Sequence, residues 1–308
     1  MSKIDELIKQ IQKDIDGLGS ASTLANMKPV ESIPFGIPSL DKLTGNGGAP
    51  RAMITEIFGK PSSGKTSLSL NLVTQAQKMG IKCAYIDVEL ALNKELAQQS
   101  GVDINELVVF RPLSGEETFE IVENVADKGF GLIIVDSIAS LSAESELESD
   151  YDEQTIGLQA RLISKAMRKV IGCIYRNNTA LVFINQIRAV MAKMPGQKTT
   201  TTSGGMAIPF YAALRLETVR TGWIKDGDSN ITGMNIKIRS EKNKLHRPQL
   251  ETEVDFIYGS GFNALTDRLN TLIADNKVEL VGRTYFVNSE KIGDKTAILK
   301  WLEENPKL

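Results

Sequence analysis

Gly59-Lys60-Pro61-Ser62-Ser63-Gly64-Lys65-Thr66 fits G-x-x-x-x-G-K-[ST], the pattern of a loop that wraps phosphate groups. Before it, Met53-Ile54-Thr55-Glu56-Ile57-Phe58 is rich in β-branched and aromatic residues and predicts a strand. After it, Leu68, Leu70, Leu72, Val73 and Ala76 mark the apolar face of a helix. Strand, glycine loop and helix together are the context in which such a loop binds a nucleotide. Backbone N–H groups and the helix N-terminus then face an anion. Lys65 reaches the β- and γ-phosphates, and the Thr66 hydroxyl is available to Mg²⁺.

Residues 2–16 predict an amphipathic helix with Ile4, Leu7, Ile8, Ile11 and Ile15 on one face. Ser2 and Asp5 offer it a capping-box-like start. Gly17–Met27 reads as a linker. The helix either packs on its own domain or docks on a neighbouring molecule. From Ile33 to about Gly259 strands and helices alternate, which implies a mainly parallel sheet covered on both faces. Leu214–Thr221 and Asn235–Ser240 predict further strands, and the latter runs into a basic turn at Glu241-Lys242-Asn243-Lys244. Beyond Gly259 a small αβ module follows.

Composition narrows the function. The 308 residues carry 36 Lys+Arg against 38 Asp+Glu, a formal net charge of −2, so any nucleic-acid contact must come from a local basic patch. Hydrophobic residues at 42% suffice for a sizeable core. No apolar run approaches a membrane span and the charged N-terminus does not resemble a signal peptide, which predicts a protein with no membrane role. The two cysteines, Cys83 and Cys173, sit in apolar segments and read as buried thiols in a reducing cytosol. A single histidine, His246, builds no zinc site.

Carboxylates stand at the ends of apolar strands, where open α/β sheets bind ligands. Gly131-Leu132-Ile133-Ile134-Val135-Asp136 has the Walker B form and places Asp136 to hold hydrated Mg²⁺. Lys82–Glu89 ends in Glu89, a candidate to orient and deprotonate a water attacking a γ-phosphate. Ala180-Leu181-Val182-Phe183-Ile184-Asn185-Gln186 ends in Gln186, placed to sense the γ-phosphate and pass its presence to the loop that follows.

Two long polar stretches, about 143–155 and about 189–205, break the regular pattern, and loops of that length inside a compact domain are usually functional or disordered. Between them a helix from Ile156 to about Tyr175 carries Arg161, Lys165 and Arg168 as one basic stripe, with Leu158, Leu162, Ile163 and Ala166 inward. Such a stripe is either a solvated face or a phosphate-backbone contact.

The ordered set resembles the RecA family of bacterial-type homologous recombinases over nearly the full chain. The resemblance is carried by Gly59–Thr66, Tyr85–Glu89, Ile134–Ser137, Gly157–Arg161, Ala166–Lys169, Phe183–Arg188, Thr200–Gly205, Phe210-Tyr211 and Lys242-Asn243-Lys244. It implies an α/β fold: a RecA-type P-loop NTPase core (33–259), an N-terminal oligomerisation helix and linker (1–32) and a small α+β C-terminal domain (260–308). It implies a cytoplasmic, ATP- and Mg²⁺-dependent protein that forms a helical filament on single-stranded DNA and exchanges strands with duplex, with recombination mediators as further partners. Nucleotide contacts would come from Gly59, Lys60, Pro61, Ser62, Ser63, Gly64, Lys65, Thr66 and Ser67, with Leu96 against the base and Thr66 and Asp136 on the metal. Glu89 would be the base and Gln186 the γ-phosphate sensor. Lys242 and Lys244 would reach the neighbouring subunit's ATP. The two polar stretches would be the DNA-binding loops, with Ile156, Gly157, Arg161, Ser164, Arg168, Arg188, Met194, Thr202, Gly204 and Gly205 at the DNA.

Some positions depart from the family's pattern. Leu96 stands where the family often has tyrosine, Asn93 where it often has aspartate, and Pro195 where an aromatic is typical. The chain also ends without a long acidic tail, which suggests a phage-type or mobile-element member. Two other functions share these motifs: an ATP-gated DNA-binding filament or scaffold without strand exchange, and a ring helicase or translocase with the same core.

Overall fold

The computed structural model describes residues 3–14, 21, 23–142, 157–189 and 200–306. The chain divides into two units, 1–31 and 32–308. In the first, α1 (Lys3–Asp14) has Asp5 and Glu6 in its first turn and Lys13 in its last, which complements the helix dipole. None of its residues is buried, and Ile4, Leu7 and Ile11 are exposed along the expected apolar face. Ser2, Ile15 and Asp16 lie outside the described residues. A 3₁₀ turn at Leu24–Asn26 interrupts the expected linker.

In the second unit, strands β1 (Ser32–Ile33) and β2 (Ala49–Pro50) form a small antiparallel pair, and α2 (Pro38–Thr44) lies between them in sequence. The main sheet then builds up through β3 (Ile54–Gly59), α3 (Lys65–Lys78), β4 (Cys83–Asp87), α4 (Lys94–Gln99), β5 (Leu107–Phe110), α5 (Gly115–Asp127), β6 (Leu132–Asp136), α6 (Leu158–Arg176) and β7 (Ala180–Ala189). It continues through β8 (Thr200–Thr202), α7 (Ala207–Tyr211), β9 (Leu214–Lys225), β10 (Ile231–Asn243), β11 (Glu251–Ile257) and β12 (Gly261–Phe262). Ten strands join in the order β12-β11-β10-β9-β3-β7-β6-β4-β5, with β8 hydrogen-bonded to β7.

From β9 to β5 the neighbours are parallel, as strands linked through helices must be when both faces are covered. Alternation along each strand feeds two cores. Leu132 and Ile134 of β6 and Val182 and Ile184 of β7 join the cluster that includes Leu68, Leu72 and Val73 of α3. Ile133, Val135, Leu181 and Phe183 join the other, with Phe119 and Val122 of α5 and Met167 and Val170 of α6. Each fully buried aliphatic side chain of this kind contributes about 1.5–3 kcal/mol of transfer free energy. Ile163 and Ala166 are buried as expected, while Leu158 and Leu162 are half-buried.

The other wing is antiparallel, and it corrects two boundaries. β9 and β10 run well past Leu214–Thr221 and Asn235–Ser240 to form a long hairpin. At its tip Asp226 accepts from the N–H groups of Asp228 and Asn230, both at 2.9 Å. Asp226-Gly227-Asp228-Ser229-Asn230 was therefore a readable turn signal. The basic segment at 241–244 is not a free turn: β10 persists through Asn243, with Lys242 paired to Arg215 and Asn243 to Leu214 after a register shift.

Last, α8 (Ala264–Ala274), the meander β13 (Val278–Val281), β14 (Thr284–Val287) and β15 (Glu290–Gly293), and α9 (Lys295–Glu304) enclose a third core of Leu269, Leu272, Val278, Tyr285, Val287, Ile298 and Leu302. Asp267 of α8 ties it to α2, accepting from Ser39 N at 2.8 Å and Ser39 Oγ at 2.6 Å. Lys42 and Asp275 form an ion pair alongside. No helix among the described residues is long and apolar enough to cross a membrane.

Candidate functional site

β3 ends at Gly59, the loop turns through Lys60–Ser63, and Gly64 in the left-handed region (φ 86°) opens α3 at Lys65. The left-handed conformation strains any side chain at Gly64, and a Cβ there, 2.5 Å from Ile236 Cδ1, would also force that methyl to shift. Ser63 Oγ donates to Lys60 O (2.8 Å) and shares a hydrogen bond with Thr218 Oγ1 of β9 (2.7 Å), which pins the loop to the sheet. Lys65 Nζ donates to Lys60 O (2.8 Å) and Gly59 O (3.3 Å), so the ammonium is folded back over the loop. Burial lowers its pKa, opposed by Asp136 and Glu89. The loop therefore holds a partly desolvated cation in a glycine-lined cradle at a helix N-terminus, an arrangement that fits phosphate.

Asp136 ends β6 beside that cradle. Its Oδ2 accepts from Thr66 Oγ1 (3.0 Å) and from Tyr85 OH (2.7 Å). Burial raises its pKa; the Tyr85 and Thr66 hydrogen bonds lower it, nearby Glu89 raises it and Lys65 lowers it. A buried carboxylate touching a threonine hydroxyl is an oxygen-donor pair suited to Mg²⁺, which completes its shell with water and phosphate oxygens. Among the described residues no group of three His, Cys, Asp or Glu could hold a metal ion by itself.

Glu89 arrives at the same place through its backbone. Val88 N and Glu89 N both donate to Asp136 O, at 2.7 and 3.2 Å, so the segment after β4 crosses the tip of β6. Asp87 fixes the exit of that segment by accepting from Ala91 N (3.0 Å) and Leu92 N (3.2 Å). Three donors converge on Glu89 Oε1: Ser137 Oγ (2.5 Å), Gln186 Nε2 (2.9 Å) and Ser140 Oγ (3.3 Å). No hydrogen bond from the described residues reaches Oε2, and the side chain is exposed. A carboxylate anchored through one oxygen, with the other toward solvent, is placed to accept a proton from water.

Lys65, Thr66, Asp136, Glu89 and Gln186 thus come together at the carboxyl ends of β3, β4, β6 and β7. Lys242 and Lys244 do not join them within one chain: Lys242 pairs with Arg215, which pairs in turn with Glu56 of β3, back along the strand from Gly59 and the phosphate loop. Lys242 Nζ instead donates to Pro209 O (2.7 Å) and Phe210 O (2.9 Å) at the end of α7. Burial lowers its pKa, reinforced by Lys244 and Arg215 and opposed by Glu56. Lys244 N donates to Ala213 O at 2.8 Å. Leu96, in α4, is half-buried against the core cluster that contains the α3 residues. Asn93 caps that helix, accepting from Leu96 N at 3.0 Å.

On the candidate DNA face, Arg161 and Arg168 are exposed on α6 and Ser164 is half-buried. Gly157 is the N-cap of α6 (φ 84°). Arg188 is exposed, and its Nη2 donates to Ala139 O at 3.3 Å. Thr202 is buried in the pairing of β8 with β7. Gly204 is buried against α6, where a Cβ would come within 2.6 Å of Ile163 Cδ1, and Gly205 is exposed. Ile156, Met194 and Pro195 lie outside the described residues, as do residues 143–155 and 190–199 of the two loops.

Several contributors have no local sequence signal. Tyr85 lies inside β4 and Ser137 directly follows β6, and only the fold shows that they touch Asp136 and Glu89. Asn185 donates to Glu56 Oε1 (2.8 Å) and Ser203 O (3.0 Å) and accepts from Gln186 N (2.8 Å). Arg215 Nε reaches Glu56 Oε2 at 2.5 Å. These partners are separated by up to 159 residues.

The RecA N-terminal domain family matches residues 2–263. The chain is 39% identical over 317 aligned residues to Protein RecA 1 of Myxococcus xanthus, covering 99% of this chain and 92% of that protein. It is 40% identical over 305 residues to Protein RecA of Haemophilus ducreyi, covering 98% and 81%.

Proposed function

The chain belongs to the RecA family, and from that premise we infer that it is an ATP-dependent recombinase. It assembles as a filament on single-stranded DNA, pairs that strand with homologous duplex and exchanges strands. The observation that carries the ATPase half is the convergence of Lys65, Thr66, Asp136, Glu89 and Gln186 on one crevice.

Lys65 and the α3 N-terminus bind the β- and γ-phosphates. Mg²⁺, held by Thr66 and Asp136, neutralises charge on the phosphate oxygens when bound. Glu89 orients a water through Oε2 and takes its proton as the oxygen attacks the γ-phosphorus and the bond to ADP breaks. Gln186 sits on the same carboxylate and in the strand that leads into the second loop, so loss of the γ-phosphate changes contacts at both. Lys242 and Lys244 complete the site from the neighbouring subunit, which makes hydrolysis depend on assembly.

The exposed apolar face of α1 docks on an adjacent subunit. The basic face of α6 and the two loops hold the DNA backbone, so base sequence is recognised by strand pairing and direct sequence preference is weak. Cytoplasmic residence follows from the DNA substrate. Hydrolysis measured with and without single-stranded DNA tests this function: strong stimulation by any sequence supports it, and an unstimulated rate contradicts it.

A further inference from the structure

Glu56 occupies the middle of the sheet, in register with Phe183 of β7 on one side and Arg215 of β9 on the other. It is fully buried. A carboxylate in that position is costly unless each oxygen is satisfied, and here the two oxygens serve different strands. Oε1 accepts from Asn185 Nδ2 at 2.8 Å and Oε2 from Arg215 Nε at 2.5 Å.

Resting on the recombinase function above, we propose that Glu56 is a positioning residue that couples Gln186 to the end of the second loop at Ser203 and to the strand carrying Lys242. The chain of contacts is continuous. With Nδ2 held by Glu56 and by Ser203 O, the Asn185 amide has one orientation, and its Oδ1 faces Gln186 N. Ser203 N returns to Gln186 O at 3.3 Å. The loop end and the sensor are therefore fixed to the same amide. On the other side, Arg215 stacks its guanidinium over Phe58 at 4.6 Å and lies opposite Lys242 in the β9–β10 ladder. An apolar side chain at 56 would leave Asn185 Nδ2 and Arg215 Nε without this acceptor. The charge is what holds an amide and a guanidinium in fixed orientations on either side of β3, a strand that itself ends in the phosphate loop. A shift of Gln186 then moves Ser203 and the Lys242 strand together rather than separately.

Glu56→Gln keeps the volume and one acceptor while removing the charge that faces Arg215. The affinity for single-stranded DNA is measured at fixed salt with a non-hydrolysable ATP analogue and with ADP, together with ADP affinity and thermal unfolding. The expected result is ADP affinity close to wild type and a ratio of the two DNA affinities reduced by about tenfold or more, within the span of allosteric couplings. A folded variant that keeps the wild-type ratio overturns the proposal, even if it is less stable. Hydrogen exchange on the wild-type protein gives an independent check if the variant does not fold. Adding the ATP analogue must change protection of Ser203 N and of the amides at 240–243 together, and a change at only one of them overturns the coupling. A wild-type protein with no difference between ATP analogue and ADP excludes the recombinase function itself and the coupling with it, whereas a wild-type difference preserved in Glu56→Gln excludes the coupling alone.

Discussion

Gln186 Nε2 donates to Glu89 Oε1 across 2.9 Å, joining residues 97 positions apart. The bond links Gln186, inside β7 shortly before that strand ends at Ala189, to the carboxylate beside Asp136. Under the function proposed above, a γ-phosphate competing for the Gln186 amide would release Glu89 Oε1 from one of its three donors, and one side chain would read both occupancy of the site and position of the loop.

Glu89→Gln removes the proton acceptor but keeps the shape. ATP hydrolysis falls by about 10²–10⁴-fold, while ATP-dependent binding to single-stranded DNA persists. Steady-state hydrolysis and filter binding on the same preparation check this. Gln186→Ala behaves differently: nucleotide affinity is retained, and the difference in DNA affinity between ATP analogue and ADP is lost.

The double substitution Lys242→Ala/Lys244→Ala abolishes DNA-stimulated hydrolysis and spares nucleotide binding by isolated subunits. Mixing it with Glu89→Gln places an intact Glu89 opposite intact lysines at some interfaces. Random head-to-tail mixing in equal amounts restores roughly a quarter of the wild-type rate. A mixture as inactive as its components contradicts a contribution from the neighbouring subunit.

Gly64→Ala forces a side chain into a left-handed residue and against Ile236. The backbone conformation alone costs about 1–2 kcal/mol, and relief moves the N–H groups that face phosphate. Nucleotide affinity falls by at least about tenfold, measured by titration with a fluorescent ADP analogue.

Stability carries a pH signature from Asp41, whose carboxyl accepts from Phe35 N at 2.6 Å and Gly36 N at 3.1 Å. Burial pushes its pKa up from 3.8 to about 7, against hydrogen bonds from Phe35, Gly36 and Ile37, with Asp267 adding to the rise. The folded value lies above the unfolded one, so the protonated form stabilises the fold. That contribution is complete below about pH 4 and is lost as pH rises through about 7, a change on the order of 1–4 kcal/mol. Asp41→Asn flattens this part of the pH profile, and urea unfolding at pH 5 and pH 8 measures the difference.

The phosphate loop, Asp136, Glu89 and Gln186 were legible because each terminates an apolar run, and the carboxyl ends of parallel strands converge whatever the loops between them. How Glu89 reaches the site was not legible: it depends on two backbone N–H groups donating to Asp136 O, contacts between strands that sequence does not show as neighbours. The segment at 241–244 was misread as a turn because its charges break the apolar alternation, although pairing with β9 keeps it extended. The Glu56–Arg215 and Asn185–Ser203 contacts were invisible for the opposite reason, since a charged or amide residue inside an apolar strand gives no hint of its partner. The stripe on α6 was visible as spacing alone; the structure leaves Arg161 and Arg168 exposed and buries Ile163 and Ala166 behind them.

Strand exchange between circular single-stranded DNA and homologous linear duplex, with ATP and Mg²⁺, tests the central claim most directly. Joint molecules form with homologous duplex and not with heterologous duplex, and Glu89→Gln still pairs strands in ATP without turning it over. DNA-stimulated hydrolysis with no joint molecules from the wild-type protein would contradict the account and point to a scaffold or translocase built on the same site.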